Sequence, residues 1–458
     1  MEWLSMMHTN SQRPFSKIGL ALLSVLLTQS AFAAETVVIA PGGNGALELD
    51  AAMEMAYQHS FNRQVAEQDK LGSEARQRIL SGSNGPRLSV EASRGWIDTD
   101  VNKLAGKTLP TGQRYPDQIS AVGVVIAQPI TQIFANRSRL NAEEKLTESS
   151  KSQILAEGND AKLQGAEAYI AALKAIRFLA ISKESQELIG RQRKDANLLK
   201  DSGRLATLDY SRFELAVSES NTLVSDAEAQ LQVASDNLHE VLGIPNEQAI
   251  ALTDLKSFAQ SATASSQERA ELQGASRRVE ALESQLKAQR VEYWPQVNAF
   301  ARYSRDFAAK DVNVNFAGLN VNIPKEDFRD QMSYGFNLQW DIWDWGTRSG
   351  RSAEIGTQVS KARIQHDALA SRLRLETSRA DAEWNRANQI LRDAQLADKL
   401  SADILRSFDI KFRNGLATTT DLLSVQRDRI RAQAQLANAT YDLQGAFLRK
   451  RRAEGQML

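Results

Sequence analysis

Two acids recur at matched positions. Asp209 follows Gly203 by six residues with Thr207 two before it, and Asp421 stands in the same relation to Gly415 and Thr419. A glycine able to take the left-handed conformation ends one helix. The Thr and Asp that follow suit the first turn of the next, where the positive end of the helix dipole favours a carboxylate. Other residue types with chemical capacity are poorly placed for catalysis. His8, His59, His239 and His366 are scattered, without metal-ligand spacing. Gly106-Lys107-Thr108 has the end of a phosphate-binding loop, but Val101 stands where the first glycine belongs. It also lies in a polar stretch between two strands rather than between strand and helix. There is no G-x-S-x-G, no H-E-x-x-H and no histidine beside a credible nucleophile. The sequence reads as a non-enzyme that holds neither metal nor cofactor.

The acids belong to a duplication. RSRLNAE at 137–143 and RSGRSAE at 348–354 are offset by 211 residues, the Gly-Thr-Asp landmarks by 212, and the Pro86 and Pro295 landmarks by 209. Three landmarks in one order at nearly one shift mark an internal repeat. Each half runs helix, two strands, long helix, glycine-marked break, helix. The boundaries read as a first repeat over 34–243, a connector over 244–266 and a second repeat over 267–458. Strands fall at about 86–97 and 118–130, then at about 295–306 and 331–345; long helices fall at about 131–200 and 348–414. Leu47, Leu49, Ala52 and Met55 make a helical stripe within 47–84. Leu163, Ala166, Ile170 and Leu173 alternate spacings of three and four, as a coiled-coil seam requires. Seventy helical residues span roughly 105 Å, too long to fold back into one compact core. Arg137 and Arg348 begin the long helices and read as solvated.

Residues 1–33 read as a secretory signal. Arg13 and Lys17 precede the apolar run from Ile18 to Leu27, and Ala31-Phe32-Ala33 supplies small-residue cleavage positions. Without those residues the chain carries 54 basic and 55 acidic side chains, a balance that offers nothing to nucleic acid. Cysteine is absent, so neither a disulfide framework nor a cysteine-borne lipid anchor is expected. After Ala34 no run approaches the roughly 18 apolar residues of a membrane helix. Membrane entry therefore requires strands in a closed barrel.

The strands are patterned for that. In 333–342, Tyr334, Phe336, Leu338, Trp340 and Ile342 alternate with Ser333, Gly335, Asn337, Gln339 and Asp341. Leu88, Val90, Ala92 and Trp96 share a face interrupted by Arg94, and Val297, Ala299, Ala301 and Tyr303 share another, with Phe300 on the polar side. Residues 119–127 are apolar on both faces. Apolar-out, polar-in alternation over about ten residues suits a tilted barrel strand, with Trp340, Trp343 and Trp345 as an interfacial girdle. The polar stretches 98–117 and 307–331 read as long outer loops. Four strands cannot close a barrel when the smallest membrane barrels need eight, so the chain must oligomerise. Closure alone permits a dimer or a trimer. A periplasmic coiled-coil scaffold explains the heptads but not the strand at 333–342, and a porin needs many more strands.

The arrangement resembles the TolC family of outer-membrane efflux and secretion channels. The resemblance rests on the duplicated order, on FRNGLATTTDLLSVQ at 412–426, on KDSGRLATLDYSRFE at 200–214 and on EVLGIP at 240–245. It implies a mainly α fold carrying a membrane β-barrel: a homotrimer whose twelve strands close above a long helical tunnel that narrows at its periplasmic tip. It implies work with a periplasmic adaptor and an inner-membrane ABC transporter or proton-driven pump. The lack of cysteine is similar to members serving type I protein secretion rather than multidrug efflux. Asp421 matches the family's pore-narrowing aspartate ring, and Ser424 stands where a second ring belongs. Phe412 and Ala417 replace the tyrosine and arginine that hold the first-repeat aspartate, here Asp209; Lys411, Arg413 and Arg427 are the candidate substitutes. Leu88, Val90, Tyr334, Phe336, Leu338 and Trp340 are the expected lipid-facing residues, and Gly203, Asp209, Phe412, Gly415 and Ala417 the expected gate.

Overall fold

The computed structural model describes residues 46–96, 118–245, 250–255, 268–308, 312–316, 319–323 and 329–457. The expected signal peptide and the stretch 98–117 lie outside the described residues. The first half contains β1 (Ala46–Leu47), α1 (Leu49–His59), α2 (Phe61–Ser83), β2 (Arg87–Trp96), β3 (Gln118–Pro129), α3 (Ile130–Asp201) and α4 (Thr207–Leu242). After β4 (Ala251–Leu252) come α5 (Ala270–Arg290), β5 (Gln296–Ala308), β6 (Val312–Phe316), β7 (Leu319–Ile323), β8 (Arg329–Gln339), α6 (Thr347–Arg413) and α7 (Thr419–Ala453).

α3 has 72 residues and α6 has 67, which at 1.5 Å per residue makes them about 108 and 100 Å long. Their buried seams are built from small side chains. α6 buries Leu373, Ala380, Ala387 and Ala394, and α7 buries Ala432, Ala439, Ala446 and Ala453, each at strict seven-residue spacing. The two helices pack along these seams. Higher in α3, Gly165 lets α1 approach: a β-carbon there would meet the Ala56 methyl at 2.5 Å and the Ala52 carbonyl at 3.1 Å. No helix among the described residues is long and apolar enough to cross a membrane.

Three elements differ from the sequence reading. The stripe at 47–84 is two helices, broken at Ser60, whose hydroxyl accepts from the Arg63 N–H and caps α2. The stretch 307–331 contains the β6–β7 hairpin, with Val312 opposite Ile323 and Phe316 opposite Leu319; its Val-Asn alternation is a strand signal within a polar composition. The strand expected at 331–345 ends at Gln339, because residues 340–346 form a separate knuckle. There Trp345 takes φ 55° and Gly346 φ 85°.

The connector region does more than join the repeats. β4 pairs in parallel with β1, and the buried Tyr169 hydroxyl lies against the carbonyls of Leu47 and Thr253 at 2.8 and 2.5 Å. Nearby, Tyr441 donates to Asp254 at 3.0 Å, and burial pushes both tyrosines up to about 12.

A cluster of five charges ties four helices. Arg452 of α7 binds Asp160 of α3, Glu271 of α5 at 3.0 Å and Glu376 of α6 at 2.7 Å. Arg269, at the start of α5, pairs with Glu271 at 2.7 Å and Glu376 at 3.1 Å. Desolvation pushes the Glu271 carboxyl up. The hydrogen bond from Arg269, its own backbone N–H and the charges of Arg269 and Arg452 outweigh that effect and hold it below the usual carboxylate range. Arg452→Met removes the cation shared by three carboxylates, of which Glu271 and Glu376 keep Arg269. The carboxylates are partly exposed, so the cost falls at or below the low end of the range for unpairing a buried ion, about 3–5 kcal/mol. The thermal unfolding temperature at neutral pH should therefore drop. A depressed carboxyl stabilises above its unfolded pKa and loses that contribution as pH falls through its folded value. Glu271→Gln should accordingly cost stability at neutral pH and progressively less as the buffer is acidified below the ordinary carboxylate range.

Candidate functional site

Two regions concentrate the candidate residues: a four-stranded sheet and, at the far ends of α3 and α6, a helical tip. The sheet is antiparallel throughout, in the order β2-β3-β5-β8, so β2 and β8 are edges. Its register puts Leu88 opposite Ile126 and Val90 opposite Val124. It also puts Ile126 opposite Ala301, Ala301 opposite Tyr334, Ala299 opposite Phe336 and Val297 opposite Leu338. Directly opposed residues share a face. Leu88, Val90, Tyr334, Phe336 and Leu338 therefore stand on one side, and it is strongly exposed: 77% for Tyr334 and 76% for Phe336. The register also resolves β3, with Val122, Val124 and Ile126 on this side. Toward the loop end of the same face Arg305 grips Asp330 with two hydrogen bonds, at 2.6 and 2.9 Å.

The opposite face carries Ser89, Glu91, Ser93, Asn298, Arg302, Ser304, Ser333 and Asn337. Arg302 reaches across the intervening strand β3 to pair with Glu91. Below the sheet, Thr131 donates to the Pro295 carbonyl at 2.7 Å and accepts from the Val297 N–H at 3.0 Å, fixing the start of α3 to the start of β5.

Trp340 lies one residue past β8, exposed, its indole donating to the Tyr293 carbonyl at 3.3 Å. Trp343 and Trp345 meet edge-on at 5.8 Å and are also exposed. Arg348 holds this knuckle from beneath and is not a solvated side chain. It bonds to Asp344 at 2.7 Å and to the carbonyls of Asp341 and Glu292.

At the tip both repeats end a long helix in the same way. Gly203 (φ 73°) donates to the Lys200 carbonyl and Arg204 to Leu199; Gly415 (φ 72°) donates to Phe412 and Leu416 to Lys411. This is the doubled hydrogen bond of a Schellman ending, which needs the left-handed residue. The helices that follow start differently. Thr418 caps α7 reciprocally: its hydroxyl donates to an Asp421 carboxylate oxygen at 2.7 Å and accepts from the Asp421 N–H at 3.2 Å. Those hydrogen bonds to the carboxylate, the hydroxyl's first and the Thr418 backbone N–H second, hold the Asp421 carboxyl below its ordinary value. In the first repeat the capping position is Ala206, and Asp209 instead pairs with Arg212 at 3.2 Å.

Arg212 also donates to Thr420 and so bridges the repeats. Beneath that bridge Phe412 meets the fully buried Phe213 edge-on, centroids 5.9 Å apart. Leu422 and Leu423 pack with them, and Ala417 lies partly buried against the cluster. Asp209 and Phe412 thus belong to one contact zone, while Asp421 and Ser424 lie exposed on the next helix. None of the three candidate substitutes holds Asp209: Lys411 lies over the Phe408 ring, Arg413 pairs with Asp409, and Arg427 lines the cleft between α4 and α7. Sequence reasoning missed Thr418 and Arg212. The spacing Thr418-x-x-Asp421 is a capping-box signature and could have revealed the first; nothing local marks the second.

Residues 263–456 match the outer membrane efflux protein family. The match spans somewhat less than half of the chain. The solved structures agree on the fold across nearly all of the chain. CusC superposes with a TM-score of 0.76 at 14% identity, covering 89% of this chain and 92% of its own. VceC, an outer membrane protein of Vibrio cholerae, gives 0.74 at 14% over 89% and 96%. CmeC, an outer membrane channel of Campylobacter jejuni, gives 0.75 at 14% over 89% and 85%. No curated protein sequence matches the chain. The chain therefore shares the fold of these outer-membrane channels, and its residues 263–456 are similar in sequence to the efflux family.

In a sheet with one exposed apolar face and one polar face, the two faces should answer differently to charge. Leu338→Arg puts a guanidinium on the exposed apolar face and should impair membrane insertion by about 2–4 kcal/mol if it lies near the bilayer midplane. Asn337→Arg, one residue away on the polar face, should insert normally. Heat-modifiable migration of the inserted protein measures both, and equal behaviour would contradict the assignment of the faces.

Proposed function

We propose that three copies of this chain close a twelve-stranded barrel and form the exit duct of a tripartite export system. A periplasmic adaptor and an inner-membrane transporter deliver cargo to it. The observation that carries the reading is the sheet itself, with one exposed apolar face, one polar face and two open edges, and with no helix among the described residues long and apolar enough to cross a membrane. Lipid occupies the face bearing Leu88, Val90, Tyr334, Phe336 and Leu338. Closure alone would also admit two copies; three is the number that the resemblance to the TolC family implies. Mass measurement in detergent should give a homotrimer; a monomer with full strand content would overturn the proposal.

The cargo we assign is protein, as in type I secretion, on the cysteine-free sequence that set the expectation. Small-molecule efflux is the second reading, favoured by the family that the second half matches. Deletion of the gene separates them. Loss of an abundant secreted polypeptide with unchanged drug susceptibility supports the first, and the converse supports the second.

Asp421 is the proposed constriction, three carboxylates around the axis at the tip with Ser424 one turn behind. Only one oxygen of Asp421 is engaged in the cap, which leaves the other for ions. Carboxylate oxygens are good ligands for hard cations. Single channels should prefer cations and be blocked by trivalent cations from the periplasmic side, and Asp421→Ala should remove both properties while Asp209→Ala keeps them. Thr418→Val removes the hydroxyl that holds the Asp421 carboxyl down. As pH falls, block in that variant should therefore vanish at a higher pH than in the parent. An unchanged pH profile would mean that the cap does not tune the constriction.

A further inference from the structure

The two repeats touch at the tip through Phe213 and Phe412, and again higher up where Ile170 approaches Gly445. Between these contacts they part. Residues 178–189 of α3, 212–223 of α4 and 420–434 of α7 line a cavity of about 620 Å³. Its walls are largely apolar, from Phe178, Ile189, Leu215, Leu223, Leu423 and Ile430. Among the polar side chains that interrupt them, two are buried without partners. Gln426 is 2% exposed, and neither its amide oxygen nor its amide nitrogen has a hydrogen-bond partner among the described residues. Ser185 is 5% exposed, and its hydroxyl likewise has none. Buried polar groups in native proteins are nearly always satisfied, so two exceptions lining one cavity require a reason.

At the mouth three guanidiniums, of Arg212, Arg427 and Arg431, accompany a single carboxylate, Glu219. Asp209 already engages Arg212 and Asp428 engages Arg431, which leaves Arg427 without a partner among the described residues. Small-molecule sites are typically about 300–1,000 Å³, mostly apolar, with a few converging polar groups. This cleft has that size and that chemistry.

We infer that the cleft between α3, α4 and α7 binds a compact amphipathic anion. Its apolar body lies between the two coiled coils, a hydrogen-bonding group meets Gln426 and Ser185, and its acidic head meets Arg427. A ligand so placed ties the first repeat to the second directly above the Phe213–Phe412 contact. Its consequence for the pore rests on the channel reading; binding itself does not.

The probe is 8-anilinonaphthalene-1-sulfonate, an apolar body with one sulfonate, titrated against the full chain in lipid nanodiscs with empty nanodiscs subtracted. Saturable fluorescence at one probe per chain is expected. Ala216→Trp, which fills the cavity, should abolish it, and Gln426→Leu and Arg427→Gln should each weaken it roughly tenfold or more. The chain has no cysteine, so Leu215→Cys provides a unique thiol that maleimide should label in the assembled protein and that the probe should protect. Saturable binding that survives Ala216→Trp and Gln426→Leu would overturn the site. So would labelling of the thiol-free parent chain as strong as that of the Leu215→Cys variant, or a thiol unreactive in the assembly because a second copy covers the cleft. Single-channel recording of the parent protein separates the two ideas: absence of pores defeats the duct while leaving the binding measurement intact.

Discussion

The open edges of β2 and β8 are the constraint from which the rest follows. Each edge carries a row of backbone N–H and C=O groups with no partner in the four-stranded sheet. In water those groups are solvated, but in hydrocarbon each unsatisfied one costs several kcal/mol. The exposed apolar face draws the sheet into lipid, and its edges forbid it to be there alone. The conflict disappears if β8 of one copy pairs with β2 of the next. Three successive antiparallel pairings leave β2 and β8 running in opposite directions, so the join between copies continues the same antiparallel pattern. A head-to-tail contact of this kind generates a closed ring when its rotation permits. A ring of sheets in turn imposes a ring of helices, because Thr131 and Arg348 clamp each helix start to the strands above it.

The helices meet that demand with little apolar area per residue. Alanine at seven-residue spacing, at 380, 387 and 394 of α6 and at 432, 439, 446 and 453 of α7, lets two helices run side by side at close range, and a strict heptad sets a left-handed supercoil. Such seams gain by length what they lack in side-chain size, which suits elements about 100 Å long. Where four helices cross, the sequence uses charge instead. Arg269 and Arg452 gather carboxylates from three other positions, a geometry that fixes which helices meet more than it adds stability. Larger side chains stand at two of the contacts between the repeats, around Tyr169 and at the Phe213–Phe412 contact.

What could be read from the sequence was what is periodic or duplicated. The long helices, the alternating strands and the paired Gly-Thr-Asp landmarks each repeat a local signal many times or twice. The missed features depend on a single residue or on distance. Ser60 breaks a helix in which the apolar stripe itself continues, so periodicity gives no warning. The β6–β7 hairpin alternates valine with asparagine in a segment whose overall polarity suggests a loop. The end of β8 is set by Arg348, well beyond Gln339 in the chain, gripping Asp344 and the Asp341 carbonyl. β3, apolar on both faces, takes its register from β2 and β5 rather than from its own pattern. The bridge from Arg212 to Thr420 joins residues 208 apart, and no local rule connects them.

The duplicated acids are held in two different ways. With alanine at 206, Asp209 has no capping hydroxyl to bind; it turns to Arg212, and through that guanidinium joins the contact between repeats. With threonine at 418, Asp421 is drawn back onto its own helix start and has no ion pair among the described residues. Capping is often taken as the bland explanation of an acid in a first turn, and as a rival to a functional one. Here the two are compatible. The cap uses one carboxylate oxygen, keeps the group ionised and fixes its direction, while the other oxygen has no partner among the described residues. A charge that must be presented at a defined point needs such a tether, and a one-residue difference, Thr418 against Ala206, supplies it to one repeat and withholds it from the other.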